Sequence, residues 1–263
     1  MGFNQFVTDA QVFLLIFARI IALILAAPLT SSSSIPSLAK VGLALLSATL
    51  VFPGVSAAGY PIPENGLAFG LLLAGEAMVG LSMAFFLVIV YAIFQLAGQM
   101  FSLQMGFGAS QVFDPLAQIE IPLMGQFLNI IAMFVFVTVS GFQRIFLIGV
   151  DRSFRVFRAV DLVLIREDIV FEVMGRLGLL FEQALIISFP VLGTLVLVYV
   201  AMGLIAKAAP QMNLLILGFP ISIGVTFLVI FVALPFVVES FDRVIEEGFS
   251  ILLRVFANPE ALR

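Results

Sequence analysis

From Leu67 to Phe113 the chain is apolar with a single charge, Glu76. At about 1.5 Å rise per residue, a helix of that length is more than twice the roughly 30 Å hydrocarbon core of a bilayer, so the segment must bend, tilt strongly or leave the membrane. The stretch Gly98–Gln126 is where it can do so. It holds four glycines (Gly98, Gly106, Gly108, Gly125), Pro115 and Pro122, the carboxylates Asp114 and Glu120, and five glutamines. With no water to pair free N–H and C=O groups, irregular backbone survives at membrane depth only where protein covers it or it lines a water-filled path. The stretch therefore reads as part of a pore, a cavity or a plug.

The rest of the chain places this break in a polytopic, all-α membrane protein. Of 263 residues, 62% are hydrophobic and 11% charged, and no window of ordinary polarity is long enough for a separate soluble domain. Ala10–Leu29 is a span carrying one charge, Arg19, and ends at Pro28 and the serine run before Ile35-Pro36. Val41–Ala58 is a second span, punctuated by Pro53-Gly54. Small residues recur every fourth position at Ala18, Ala22 and Ala26, and again at Gly66, Gly70 and Ala74, which predicts tight helix contacts along both stripes. The first residues lack the basic region of a cleavable signal peptide, so the N-terminus reads as mature.

After the apolar run Phe127–Phe142, six arginines and five acids crowd Arg144–Arg176, interleaved with Phe154, Phe157, Val160, Leu164, Ile169 and Val173. That pattern predicts amphipathic helices at a membrane surface or against partner protein. The spans Leu177–Ala206 and Leu214–Val238 follow, joined by Lys207–Asn213, a turn so short that the two must form an antiparallel hairpin. Glu239–Arg263 reads as a charged tail lying along a surface.

Catalysis finds no footing in this composition. There is no cysteine, histidine or tryptophan, hence no thiolate, no imidazole base and no His/Cys metal site. Asp114 and Glu120 share no fixed geometry across Pro115, and Asp114 reads as a turn acceptor before proline. No serine elbow, phosphate-cradling loop or carboxylate cluster is present. The expectation is a protein that is not an enzyme, with no cofactor and no metal. A net charge of −4, spread along the chain, argues against nucleic acid as a partner. Arg19 and Glu76 stand out as ionisable groups within apolar spans: they either pair with each other or sit near helix ends or a wet intersubunit surface. Met78, Met83, Met100, Met105, Met124 and Met133 crowd the central third, where thioethers fill an irregular core or seal a passage.

Several motifs, in order along nearly the whole chain, resemble the FliR family, the export-gate component of the bacterial flagellar type III secretion system. They are Arg19, Pro28, Ile35-Pro36 and Lys40; Gly98-Gln99, then Leu103–Gly108 and Phe113-Asp114-Pro115; Pro122–Phe127; and Ile205–Asn213 continued by Leu217-Gly218-Phe219-Pro220. The resemblance implies a non-enzymatic, multi-pass subunit of the bacterial inner membrane at the flagellar basal body, rather than the injectisome counterpart. It would assemble with FliP-like and FliQ-like subunits into a helical gate for unfolded export substrates, with an FlhB-like protein at the cytoplasmic mouth. Residues 1–176 would be the FliP-like part and 177–263 the FliQ-like hairpin and tail.

On the same resemblance a plug at about 104–121 would use Gln104, Met105, Gly106, Phe107, Gly108, Phe113, Asp114, Pro115 and Pro122. The hairpin would contact its partner through Lys207, Pro210, Gln211, Asn213 and Pro220. Lys207 stands where relatives often carry arginine, which keeps the charge and loses the planar fork. The basic segment Arg144–Arg176 would be cytoplasmic by the positive-inside rule, whereas the resemblance puts the Lys207 turn there. The competing function class is a secondary transporter with a broken-helix solute site at the midplane, and that class predicts paired interruptions in two similar halves. One strong interruption, plus the loop at Pro210, is what the sequence contains.

Overall fold

A computed structural model describes residues 3–32, 35–106, 123–156, 166–211 and 213–252. Among these the chain is helical: α1 (Phe3–Ala26), α2 (Ser37–Ala58), α3 (Gly66–Gln104), α4 (Leu123–Thr138), α5 (Gly141–Arg144), a π-helical segment Ile145–Arg152, α6 (Ser153–Val156), α7 (Arg166–Ala208) and α8 (Leu214–Leu252). Five of the helices are long and apolar enough to cross a membrane, and α4 is shorter. Two compact units share these helices. The first comprises residues 1–90, 137–176 and 245–263, and the second comprises 91–136 and 177–244.

Local chemistry sets the helix ends. The Asn65 side chain accepts the Leu67 N–H at 3.0 Å, capping the start of α3. Asn213 does the same for α8, its Oδ1 accepting the Ile216 N–H at 3.4 Å. Between α1 and α2 the turn is held by Lys40, which is buried and donates from Nζ to the carbonyls of Ser31 and Ser32, both at 3.0 Å. The Ser32 carbonyl also accepts the Ile35 N–H at 3.2 Å, so the turn is fixed both by its own backbone and by Lys40 of α2. α2 passes through Pro53-Gly54 without ending and packs on α1, with the Phe13 and Phe52 rings 6.1 Å apart.

In the second unit the core is aromatic. Phe94 and Phe241 stack at 4.2 Å between centroids, Tyr91 lies 6.0 Å from Phe136, and Phe101 is buried. Here the structure corrects the expected position of the central break. Gly98 lies inside α3 and Gly125 inside α4, so the irregular region does not begin at Gly98. The reason is packing: a Cβ at Gly98 would sit 2.5 Å from the Cα and N of Gly125, so the two glycines let the α3 and α4 backbones touch.

Three other expectations change. α7 begins at Arg166, inside the charged segment, rather than at Leu177. The tail from Glu239 to Leu252 continues α8, because its apolar positions keep the helical period and Phe241, Val244 and Phe249 are buried. Finally, the two small-residue stripes differ: Ala22 of the first meets α3 closely, 3.2 Å from a Cβ built at Gly80, whereas Gly66 and Gly70 of the second make no tight contact. Nothing lies within 4 Å of a Cβ built on Gly66 or Gly70, and Ala18, Ala22, Gly70 and Ala74 instead line an open apolar groove between α1 and α3.

Gly98→Val is expected to destabilise the protein by about 3 kcal/mol through overpacking at the α3–α4 contact. Gly42→Ala, at a position with open space, should leave the melting temperature unchanged or raise it. Equal melting curves for the two variants in detergent would show that the contact is not tight.

Candidate functional site

Two features gather the polar groups that the sequence singles out. The first, in the first unit, is built around Arg19. Both Arg19 and Glu76 are fully buried, and Arg19 Nε donates to Glu76 Oε2 at 2.6 Å, with Nη2 on the same oxygen. Nη1 donates to Ser153 Oγ at 2.9 Å, and Ser153 in turn donates to the Val150 carbonyl at 3.1 Å. The guanidinium plane lies over the Phe154 ring, 3.8 Å from its centroid, a cation–π contact made where no water competes. Tyr60 donates its hydroxyl to the other carboxylate oxygen, Glu76 Oε1.

Close helix approach makes the pair reachable. A Cβ at Gly80, one turn beyond Glu76, would collide with the Arg19 carbonyl oxygen, so only glycine lets α3 lie this near α1. The result ties four segments: α1, α3, the α2–α3 connection, and the start of α6. Of the two sequence readings of these charges, the structure shows the mutual pair. Sequence reasoning missed Tyr60, Ser153 and Phe154, which are ordinary residues remote along the chain. The geometry of a carboxylate occupied on both oxygens suits a fixed ion pair holding helices together. Phe154, expected on an amphipathic surface, is buried against this pair instead. Arg144, from the same charged segment, pairs at 2.6 Å with Glu246 on the partly exposed end of α8.

The second feature is the C-terminal end of α3, in the second unit. α3 stops at Gln104; Met105 is fully buried, and Gly106 has φ +93°, a left-handed conformation suited to glycine. Tyr199 of α7 donates its hydroxyl to the Gln104 carbonyl. The Phe219 ring of α8 lies so close to Gly106 that a side chain there would overlap it. Phe107, Gly108, Phe113, Asp114, Pro115 and Pro122 lie outside the described residues. Lys207, Pro210, Gln211 and Asn213 are exposed at the α7–α8 turn. Pro220 is exposed too, but it sits within α8 rather than in the turn. Of the six central methionines, Met83, Met105 and Met124 are buried, Met100 is half-buried, and Met78 and Met133 face outward.

A family model described as bacterial export proteins, family 1, matches residues 10–248. The flagellar biosynthetic protein FliR of Borreliella burgdorferi is 34% identical over 203 residues, covering 76% of this chain and 75% of that protein. The chain belongs to the FliR family. FliR of Bacillus subtilis is 29% identical over 262 residues, 98% of each chain, and FliR of Escherichia coli is 25% identical over 242 residues, 91% and 90% of the two. The FliR family places the chain in the flagellar export apparatus, as a multi-pass protein of the inner membrane at the basal body. The all-α architecture with five long apolar helices accords with that setting.

Removing one member of the buried pair leaves the other charge uncompensated. Arg19→Met or Glu76→Met alone is expected to cost about 3–5 kcal/mol, and the Arg19→Met/Glu76→Met double variant to recover most of it. Melting temperature and steady-state level in the membrane read this out. Additive losses in the double variant would show that the two side chains are not coupled.

Proposed function

We propose that this chain helps to form and close the protein-conducting channel through which unfolded flagellar proteins are exported. It would act as a non-enzymatic subunit with FliP-like and FliQ-like neighbours. The observation that carries this reading is the end of α3. A 39-residue apolar helix stops at Gln104 with a left-handed glycine at Gly106, at the head of the glycine- and proline-bearing sequence of the central break. In hydrocarbon such sequence is tolerated only against protein or an aqueous path, which is where a movable closure belongs.

Residues 1–176 are assigned as the FliP-like part and residues 177–263, which hold α8 and all of α7 beyond Arg176, as the FliQ-like hairpin and tail. The exposed turn carrying Lys207, Pro210, Gln211 and Asn213 is the contact for an FlhB-like protein on the cytoplasmic side. Lys207 offers a point charge there, not a bidentate fork, so this contact tolerates variation in the partner's geometry. Gln104, Met105 and Gly106, followed by Phe107, Gly108, Phe113, Asp114, Pro115 and Pro122, are assigned to the closure. The ion pair of Arg19 and Glu76 is assigned a structural role within the first unit.

Deleting residues 106–119 is expected to raise ion conductance of the assembled complex in planar bilayers several-fold while subunit co-purification is preserved. Conductance unchanged from wild type in an intact complex would overturn the proposal.

A further inference from the structure

Gln104 and Gly106 are held from two sides by the α7–α8 hairpin. The last carbonyls of a helix have no partner within it, and the Gln104 carbonyl is one of them. Tyr199 of α7 satisfies it from outside the helix. One residue past the intervening Met105, Gly106 turns into the left-handed region directly beneath the Phe219 ring of α8, in a space that no side chain could share. The two helices that carry these residues also meet nearby. A Cβ at Gly218, next to Phe219, would come within 2.9 Å of the Met202 methyl, one turn beyond Tyr199, so α7 and α8 are in close contact at this level. Met105, enclosed between the two contacts in sequence, is fully buried.

Both residues lie near the exposed turn. Tyr199 is eight residues before Lys207 and Phe219 six after Asn213, roughly 12 Å and 9 Å along their helices. A displacement of the turn therefore reaches both contacts through short, stiff lengths of helix. We infer that Tyr199 and Phe219 are a clasp by which the hairpin fixes the last turn of α3. Its release, driven by a protein partner acting on the 207–213 turn, is a step in opening the channel. The inference rests on the gate reading above and assigns it two positioning residues: Tyr199 acts through the Gln104 backbone, and Phe219 through Gly106.

The chain has no cysteine, so a single Met105→Cys substitution gives it one thiol, whose labelling is read on this chain after separation from its partners. In assembled complexes in proteoliposomes, N-ethylmaleimide should modify that cysteine slowly. Tyr199→Phe should raise the labelling rate about fivefold, the factor expected when one hydrogen bond of ordinary net strength is lost. Phe219→Ala should raise it at least as much. Both should also raise ion conductance, to a fraction of that seen on deleting residues 106–119. Unchanged labelling in both variants overturns the clasp. Faster labelling with wild-type conductance overturns its release as an opening step, provided the deletion itself conducts. A deletion that fails to conduct removes the gate reading, and this inference with it. Should Phe219→Ala prevent assembly, Tyr199→Phe and Phe219→Leu decide between the same outcomes.

Discussion

A guanidinium buried on an apolar helix cannot be left alone, and much of the first unit follows from satisfying Arg19. Moving such a charge out of water costs several kcal/mol even after relaxation, so the surrounding groups must return that energy together. Glu76 supplies the counter-charge, Ser153 an acceptor, Phe154 a π-face, and Tyr60 holds the carboxylate from its far side. They come from three other parts of the chain, Ser153 and Phe154 being neighbours in α6. The pair therefore acts less as a source of net stability than as a specification, since the segments must meet in this one arrangement for every partner to be in place. Gly80 belongs to the same specification, because α3 could not approach α1 closely enough with any side chain there.

The second unit solves a different problem. Between apolar helices in an apolar solvent the hydrophobic effect offers little, and close packing has to supply the association. Touching backbones at Gly98 and Gly125, stacked rings of Phe94 and Phe241, and the Met202 methyl against Gly218 are its means. None of these contacts involves a charge. The first unit is thus pinned by polar groups and the second by fit, and the end of α3 is held in the unit governed by fit, where contacts can be released without exposing a buried ion.

How much of this was legible in the sequence differs by type of signal. Membrane-spanning helices, the antiparallel hairpin and the two charges in apolar spans could all be read directly, because length and polarity are local properties. The pairing of Arg19 with Glu76 was one of two open readings, and its other partners were hidden, since a tyrosine, a serine and a phenylalanine carry no mark of a contact up to 134 residues away. Glycines were read in the wrong sense at Gly98: a residue that breaks a helix and a residue that lets two helices touch look the same until a second backbone is present. The opposite error affected the stripe of Gly66, Gly70 and Ala74, whose spacing is that of a helix contact but whose surface is open in this chain. Charged residues masked helix continuity at Arg166 and after Glu239, where the apolar period persisted beneath them.

The length of α3 sets an order on the chain's own folding. Outward-facing apolar side chains run along its first part, from Leu67 and Leu71 through Met78, Leu81 and Phe85 to Val88, about 32 Å of helix axis and close to the roughly 30 Å of a hydrocarbon core. From Ile89 to Ser102 no large apolar side chain of the helix is exposed: Phe94 packs on Phe241, Gly98 touches Gly125, and Phe101 is buried. The groups that cover this second part belong to α4 and α8, which are synthesised after it. Half of α3 can therefore be lodged among lipids as soon as it is made, whereas the other half waits uncovered until the chain has grown as far as Phe241.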